Sequence, residues 1–219
     1  VVAHEMDYEL LRTVPSALSG MATGVGYSRD VTTLLALAQY IRNLGYQAYA
    51  SMNDTALSIP MAIQAGLGEY GRHGLLITKE FGPRVRIGKI FTDLPLAHDK
   101  PIQFGVKKFC NICRECTKAC PPGAIDDGNQ TETIYNQSNI PGIEKWTTDA
   151  EKCFDFWVKQ VTDCSICIRV CPYNRKMPKW AFKTWTNLMA TPLKRIILWL
   201  DRIIGQGKRN APSNWWKGI

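Results

Sequence analysis

All eight cysteines lie between positions 110 and 171 of this 219-residue chain, and their spacing limits the fold more than any other feature of the sequence. Cys110, Cys113, Cys116 and Cys120 spell C-x2-C-x2-C-x3-C and run into Pro121. Cys153, Cys164, Cys167 and Cys171 spell C-x10-C-x2-C-x3-C and run into Pro172. Two-residue gaps let a tight turn wrap three thiolates around one corner of an iron–sulfur cubane, and a distant fourth thiolate closes it. Four disulfides would not favour two near-repeats that each end in Cys-Pro, and cysteine this sparse in a chain this long is not a disulfide scaffold. Structural zinc accounts for C-x2-C pairs but not for a triple run followed so closely by a fourth cysteine.

The reading is two [4Fe–4S] clusters spaced as in bacterial two-cluster ferredoxins, where the last cysteine of each run serves the other cluster. Cys110, Cys113, Cys116 and Cys171 are assigned to one cluster, and Cys120, Cys153, Cys164 and Cys167 to the other. A chain so equipped moves single electrons. Cys153 is the departure, because an ordinary ferredoxin would hold it much closer to Cys164. The intervening Phe154 to Asp163 is expected to loop out, with Phe154, Phe156 and Trp157 packing over a cluster and excluding water from it.

With 45% apolar residues the chain can bury a core, and its length fits one to two domains. No apolar stretch reaches the roughly 18 residues of a membrane-spanning helix, and no charged n-region precedes an apolar h-region at the N-terminus. The sequence opens on Val1-Val2-Ala3-His4 without an initiating Met and reads like the end of an interior strand, so upstream residues are expected. The formal charge of +8 is uneven: residues 174–219 hold ten Lys/Arg and one acid, while residues 1–173 hold seventeen and eighteen. This pattern fits a local contact with an acidic partner or anionic surface, or a solvated basic helix face. It argues against a nucleic-acid enzyme, whose basic face would run through the active domain.

Asp30 is positioned to cap a helix through Val31, Leu34, Leu35, Ala38 and Ile41 that stops at Gly45. Tyr46 to Ala50 reads as a strand, Ala56 to Ala65 as a helix, and Gly66, Gly68, Gly71 and Gly74 as a loop. Leu75 to Thr78 and Val85 to Phe91 read as buried strands joined by a turn at Phe81-Gly82-Pro83. Near the end, Thr191 and Pro192 supply an N-cap and first-turn pair for a helix whose apolar face carries Leu193, Ile196, Ile197, Leu200, Ile203 and Ile204, stopped by Gly205 and Gly207. The class is α/β (α+β), divided as 1–108, 109–175 and 176–219. Gly66, Gly68 and Gly71 satisfy G-x-G-x-x-G, but the residues before them look helical and no strand-to-helix turn follows, which argues against a nicotinamide site.

The run from Gly66-Leu67-Gly68-Glu69-Tyr70-Gly71-Arg72-His73-Gly74 through Gly82-Pro83-Arg84-Val85-Arg86-Ile87-Gly88, then Thr92-Asp93-Leu94-Pro95-Leu96, closely resembles the cobalamin-dependent reductive dehalogenases. Cys171-Pro172-Tyr173-Asn174-Arg175 and the Trp-rich end are similar too. The resemblance covers nearly the whole chain and corresponds to the C-terminal half of the family. It implies a corrinoid in a nitroreductase-like domain, bound without a protein histidine below cobalt and fed electrons by the two clusters. The three histidines here, His4, His73 and His98, stand outside any D-x-H-x-x-G setting, in agreement.

By the same resemblance Tyr27, Asn53 and Arg86 form the catalytic group above the corrin, with Arg84 the alternative to Arg86. Gly66, Gly68 and Gly71 would allow close backbone approach to the corrin or its tail. Replacing carbon-bound halogen by hydrogen consumes two electrons and one proton and releases halide. A phenol is a poor acid at neutral pH until its phenolate is stabilised, which a neighbouring guanidinium does. On the bland reading, Tyr27 is a packed tyrosine beside a glycine and the arginines pair with carboxylates such as Asp93 or Glu80.

The resemblance further implies a small organohalide substrate, an electron donor protein or quinone-linked system, and a small membrane-anchor protein. It implies export by a twin-arginine leader, absent from this chain, to the outer face of the cytoplasmic membrane. Two other functions compete: an epoxyqueuosine reductase, which would need a basic substrate face in its catalytic part, and a ferredoxin-like electron carrier, which would leave the α/β half without employment.

Overall fold

The computed structural model describes residues 1–217, an α/β half followed by a helical half. The first half runs β1 (Val2–Glu5), α1 (Tyr8–Leu11), α2 (Ala17–Asn43), β2 (Ala48–Ser51), α3 (Ser58–Gln64), β3 (Gly68–Tyr70), β4 (Leu76–Thr78) and β5 (Val85–Thr92). The second runs α4 (Val106–Cys113), α5 (Glu115–Ala119), α6 (Ala150–Gln160), α7 (Ile166–Val170), α8 (Lys179–Met189), α9 (Lys194–Ile204) and α10 (Pro212–Trp216). The mixed class agrees with the sequence. The last two positions of the expected C-terminal segment, 218–219, lie outside the described residues.

β5 is the central strand. It pairs antiparallel with β1, from Val2 opposite Gly88 to Glu5 opposite Val85, and with β2, from Ala48 opposite Thr92 to Ser51 opposite Lys89. α2 lies across this sheet and buries Ala22, Gly26, Asp30, Leu34, Ala38 and Ile41, whose spacing marks a single helix face. Asp30 does not cap this helix, contrary to expectation. Ser16 and Ser19 form a capping box upstream, each backbone N–H donating to the other's hydroxyl at 3.2 Å. The helix also runs through Gly20, Gly24 and Gly26, whose roughly 1 kcal/mol helix penalty apiece the packed face outweighs. The expected stop at Gly45 is observed, with φ 93°.

Other elements differ from the sequence reading. The glycine-rich segment is not all loop, because Gly68–Tyr70 pairs with Leu76–Thr78 as a separate two-stranded sheet. The strands on either side of Gly82 therefore belong to different sheets. The insert after Cys153 does not loop out but continues α6, since Asp149 accepts the Lys152 N–H and caps the helix. α9 starts at Lys194, two residues beyond Pro192, because Thr191 accepts the Leu193 N–H at 3.2 Å and caps a preceding turn. It ends, as expected, at Gly205 with φ 68°.

The cysteine segment is wedged between the two halves. Cys110, Cys113 and Cys171 share one core with Ile77 of β4 and with Trp185, Met189 and Ile197 of the last helices. Cys167 packs against a second core of Met6, Leu11 and Ala22. Two arginines fasten the wedge. Arg84 donates to Asn174 Oδ1 at 3.0 Å and to Glu5 and the Met6 carbonyl at 2.5 Å. Arg175 forms a buried bidentate pair with Asp201 at 2.6 and 2.8 Å.

Candidate functional site

Three elements bring Tyr27, Asn53 and Arg86 together. α2 presents Tyr27, the loop after β2 presents Asn53, and β5 presents Arg86, whose cross-strand partner is His4. Gly26 permits the approach, since a Cβ there would lie 3.0 Å from Arg86 Cγ. Arg86 Nη1 donates to the Tyr27 hydroxyl oxygen at 3.3 Å, and its guanidinium carbon sits 4.5 Å from the ring centre. The Asn53 amide donates to the same oxygen. Two donors, one cationic, thus converge on one phenol oxygen. Asn53 is exposed while Tyr27 and Arg86 are half-buried, so the group faces solvent.

The alternative arginine, Arg84, is buried and committed to Glu5, Met6 and Asn174, a structural role. Asp93, a possible partner for either arginine, instead accepts the Gln47 N–H at 2.7 Å.

Residues to which the sequence reading gave no place in the site lie behind the group. Asp30 is 1% exposed, its Oδ1 3.5 Å from His4 Nε2. Burial pushes its carboxyl above the usual carboxylate range, against the opposing pull of His4, Arg86 and Lys89. Its carboxylate rests on Gly88, where a Cβ would come within 2.4 Å of Oδ1. Lys89, also buried, donates to the Met52 carbonyl and to Ser58 Oγ, holding the loop on both sides of Asn53. A glycine in mid-strand was the available signal, since it marks close approach by a neighbouring group.

Gly66, Gly68 and Gly71 each stand against other parts of the chain. A Cβ at Gly66 would meet the Lys100 carbonyl at 2.8 Å, at Gly68 the Ile77 carbonyl at 2.2 Å, and at Gly71 the His73 and Ile77 side chains at 2.8 Å. The close approach that a hydrogen in place of a side chain permits here is to the protein's own chain.

The cysteines gather across the two runs. Cys110, Cys113, Cys116 and Cys171 line one space with Arg72, His73 and Tyr173. Cys120, Cys153, Cys164 and Cys167 adjoin one another on the side of α6 and α7, close enough that Cys164 and Cys120 add to the effect of burial in raising the Cys153 thiol to about 11. α5 and α7 are equivalent five-residue helices, each closed by an extended cysteine, Cys120 or Cys171, that is followed by proline. All eight are free thiols. Among the described residues no three His, Cys, Asp or Glu converge tightly enough to hold a single metal ion. Burial pushes Cys110 up to about 12 and Cys116 up to about 11, and it also raises Cys113, Cys167 and Cys171 well above the ordinary thiol value. Thiolates form in such a setting when a bound metal centre takes up their charge, so this donor set fits an all-thiolate cluster and its loading releases protons. The aromatic cover expected from the α6 insert is partial: Phe156 is half-buried, but Trp157 and Phe154 are exposed, Phe154 by 62%.

The cysteine array and its fold define a double-cluster iron–sulfur protein, and residues 109–174 match the 4Fe-4S double cluster binding domain. Residues 1–96 match the reductive dehalogenase subunit family. The chain is 43% identical over 201 residues to a tetrachloroethene reductive dehalogenase of Desulfitobacterium hafniense, covering 90% of this chain and 35% of that protein. It is 38% identical to one of Sulfurospirillum multivorans, covering 96% and 42%. A solved reductive dehalogenase, whose structure suggests a mechanism for B12-dependent dehalogenation, superposes with TM-score 0.80 at 30% identity over 94% of this chain and 30% of its own. An epoxyqueuosine reductase of Streptococcus thermophilus shares the fold at TM-score 0.52 and 24% identity, covering 81% of this chain and 54% of its own. The chain belongs to the reductive dehalogenase family. It spans about a third of the length of the first of these curated relatives.

Proposed function

We propose that this chain is the part of a reductive dehalogenase that carries electrons and delivers the proton when halogen is removed from a small organohalide. The convergence of Arg86 and Asn53 on the Tyr27 phenol oxygen carries the reading. It supports a group that gives up a proton and tolerates the charge left behind, on a chain that also contains a double-cluster domain. Tyr27 is the proton donor in this scheme, Arg86 holds its phenolate, and Asn53 steadies either the phenolate or a departing halide.

Bound cobalamin would supply the low-valent metal reductant. His4 faces Asp30 and His73 is buried with Nδ1 accepting the Leu75 N–H, which favours a corrinoid bound without a protein histidine. With Gly66, Gly68 and Gly71 filled by the chain's own packing, corrinoid contacts are not assigned there. Crossed ligation is proposed for the clusters, with Cys110, Cys113, Cys116 and Cys171 on one and Cys120, Cys153, Cys164 and Cys167 on the other, within the division 1–108, 109–175 and 176–219. The donor would be a protein or quinone-linked system, and the workplace the outer face of the cytoplasmic membrane beside a small anchor protein. No helix of the described residues is long and apolar enough to cross a membrane.

The test is an assay of the full-length protein for corrinoid, iron, and reduction of a chlorinated alkene and of epoxyqueuosine. Corrinoid with halide release is expected. Absence of a corrinoid would make it an electron carrier, and turnover of epoxyqueuosine alone would make it a tRNA-modifying reductase.

A further inference from the structure

Arg72 has no part in the site around Tyr27, yet it is among the most buried residues, at 1% exposure. It occupies the turn between β3 and β4. Its Nε donates to the Cys110 carbonyl at 3.1 Å, and Nη1 donates to the carbonyls of Asp126 at 2.9 Å and Gly128 at 2.8 Å. The guanidinium carbon lies 4.7 Å from the Trp146 ring centre. Each of these acceptors is neutral, and Arg72 forms no ion pair among the described residues. Nearby Glu69 is turned away to accept the Phe104 and Val106 N–H groups.

A buried guanidinium without a counter-charge is costly, and proteins retain one where an anion arrives to meet it. Arg72 lines the same space as Cys110, Cys113, Cys116 and Cys171. As free thiols these are neutral. Bound as four thiolates to a [4Fe–4S] core they form an anion in both oxidation states, and the charge grows by one on reduction. A fixed cation beside the core therefore favours the reduced state, and net charge and hydrogen bonding at the ligands are the recognised determinants of such potentials.

We propose that Arg72 is the built-in counter-charge of the cluster held by Cys110, Cys113, Cys116 and Cys171, and that it raises the reduction potential of that cluster. The proposal rests on the cluster assignment and is independent of the dehalogenation reading. The bland alternative is that Arg72 is only a clamp on the turn at 126–128, which Trp146 Nε1 also holds through the Gly128 carbonyl at 3.2 Å.

Charge and clamp separate under substitution. Arg72→Lys keeps the cation and loses the fork of hydrogen bonds, while Arg72→Gln loses the cation and keeps some hydrogen-bonding capacity. The full-length, cluster-loaded protein is titrated with dithionite while both clusters are followed by electron paramagnetic resonance, one electron entering each core. In Arg72→Gln one cluster should become about tenfold harder to reduce, about 59 mV for one electron. The other cluster should not move, and Arg72→Lys should stay near the native potential. Selective loss of one cluster in Arg72→Gln, with both kept in Arg72→Lys, supports the same conclusion. Unmoved potentials in Arg72→Gln, or an equal fall or equal cluster loss in both variants, would leave Arg72 a clamp. Iron below two cubanes in the native protein would instead overturn the cluster assignment itself.

Discussion

Arg86 stacks its guanidinium 4.5 Å from the ring centre of Tyr27 and points Nη1 at the phenol oxygen from 3.3 Å. In the proposed function the two side chains act as one unit, the phenol giving the proton and the guanidinium meeting the charge left behind. Tyr27→Phe removes the proton and disturbs no cysteine, so dehalogenation should fall by about 10²–10⁴-fold while both clusters still reduce. Arg86→Lys keeps a charge but loses the planar stack and should fall in between. Steady-state halide release, paired with spectroscopic cluster reduction, measures both. Near-native turnover in Tyr27→Phe would mean that water or another group donates the proton.

Asp30 gives a pH signature of opposite sign for stability and for activity. Burial raises its carboxyl, so the folded state binds this proton more tightly than the unfolded state does. The contribution is fully present below the ordinary carboxylate pKa and is lost as pH rises through the raised folded value. Asp30→Asn keeps a neutral group throughout, so its stability relative to the native protein should climb with pH across that window. Turnover should drop at the same time, because His4 and Arg86 lose the charge between them. Urea melts at a series of pH values read the first effect; a gap that stays flat would show that His4, Arg86 and Lys89 fully compensate the buried charge.

How far the sequence could be read depended on whether a signal was local. The cysteine runs announce themselves because thiolate ligands must be closely spaced in the chain, and Gly45 and Gly205 stop helices by backbone conformation alone. Asp30 misled because an Asp before an apolar stripe reads as a cap, whereas a capping box at Ser16 and Ser19 had already opened the helix. The packing of Gly66 on Lys100 and of Gly68 on Ile77 was not legible, because it depends on contacts that no short window contains. Tyr27, Asn53 and Arg86 stand far apart in sequence. Family resemblance named them, and only the pairing of β5 with β2, with α2 across the sheet, brings them to one point.

Crossed ligation predicts which cluster each cysteine supports. Cys171 lines the space of Cys110, Cys113 and Cys116, while Cys120 adjoins Cys153 and Cys164. Cys171→Ala should damage the cluster of the first run, and Cys120→Ala that of the second. The surviving resonance in each variant identifies the damaged site, with Arg72→Gln marking which signal belongs to the first run. Loss confined to the mutated cysteine's own run would end the crossed assignment.

The last prediction concerns α9, whose six aliphatic residues do not share one environment. Ile197 and Leu198 are 5% and 7% exposed in the core that contains Cys110 and Cys171, whereas Ile196 and Ile203 are 54% and 62% exposed beside Trp199 at 60%. Ile197→Ser should therefore cost about 2–5 kcal/mol of stability through a core cavity. Ile203→Ser should stay within about 0.5 kcal/mol. The exposed side carries Arg195, and Arg202 reaches across to Glu115 at 2.6 Å, leaving an apolar strip edged by cations and tryptophan. Such a strip suits a membrane interface or a membrane-embedded partner. The informative variant is then the pair Ile196→Ser and Ile203→Ser, which spares the core and should release the full-length protein from membranes with its melting temperature unchanged. A folded double variant that sediments with membranes as fully as the native protein would rule out docking through α9 and leave the helix a structural task alone, carried by Ile197, Leu198 and the pair of Asp201 with Arg175.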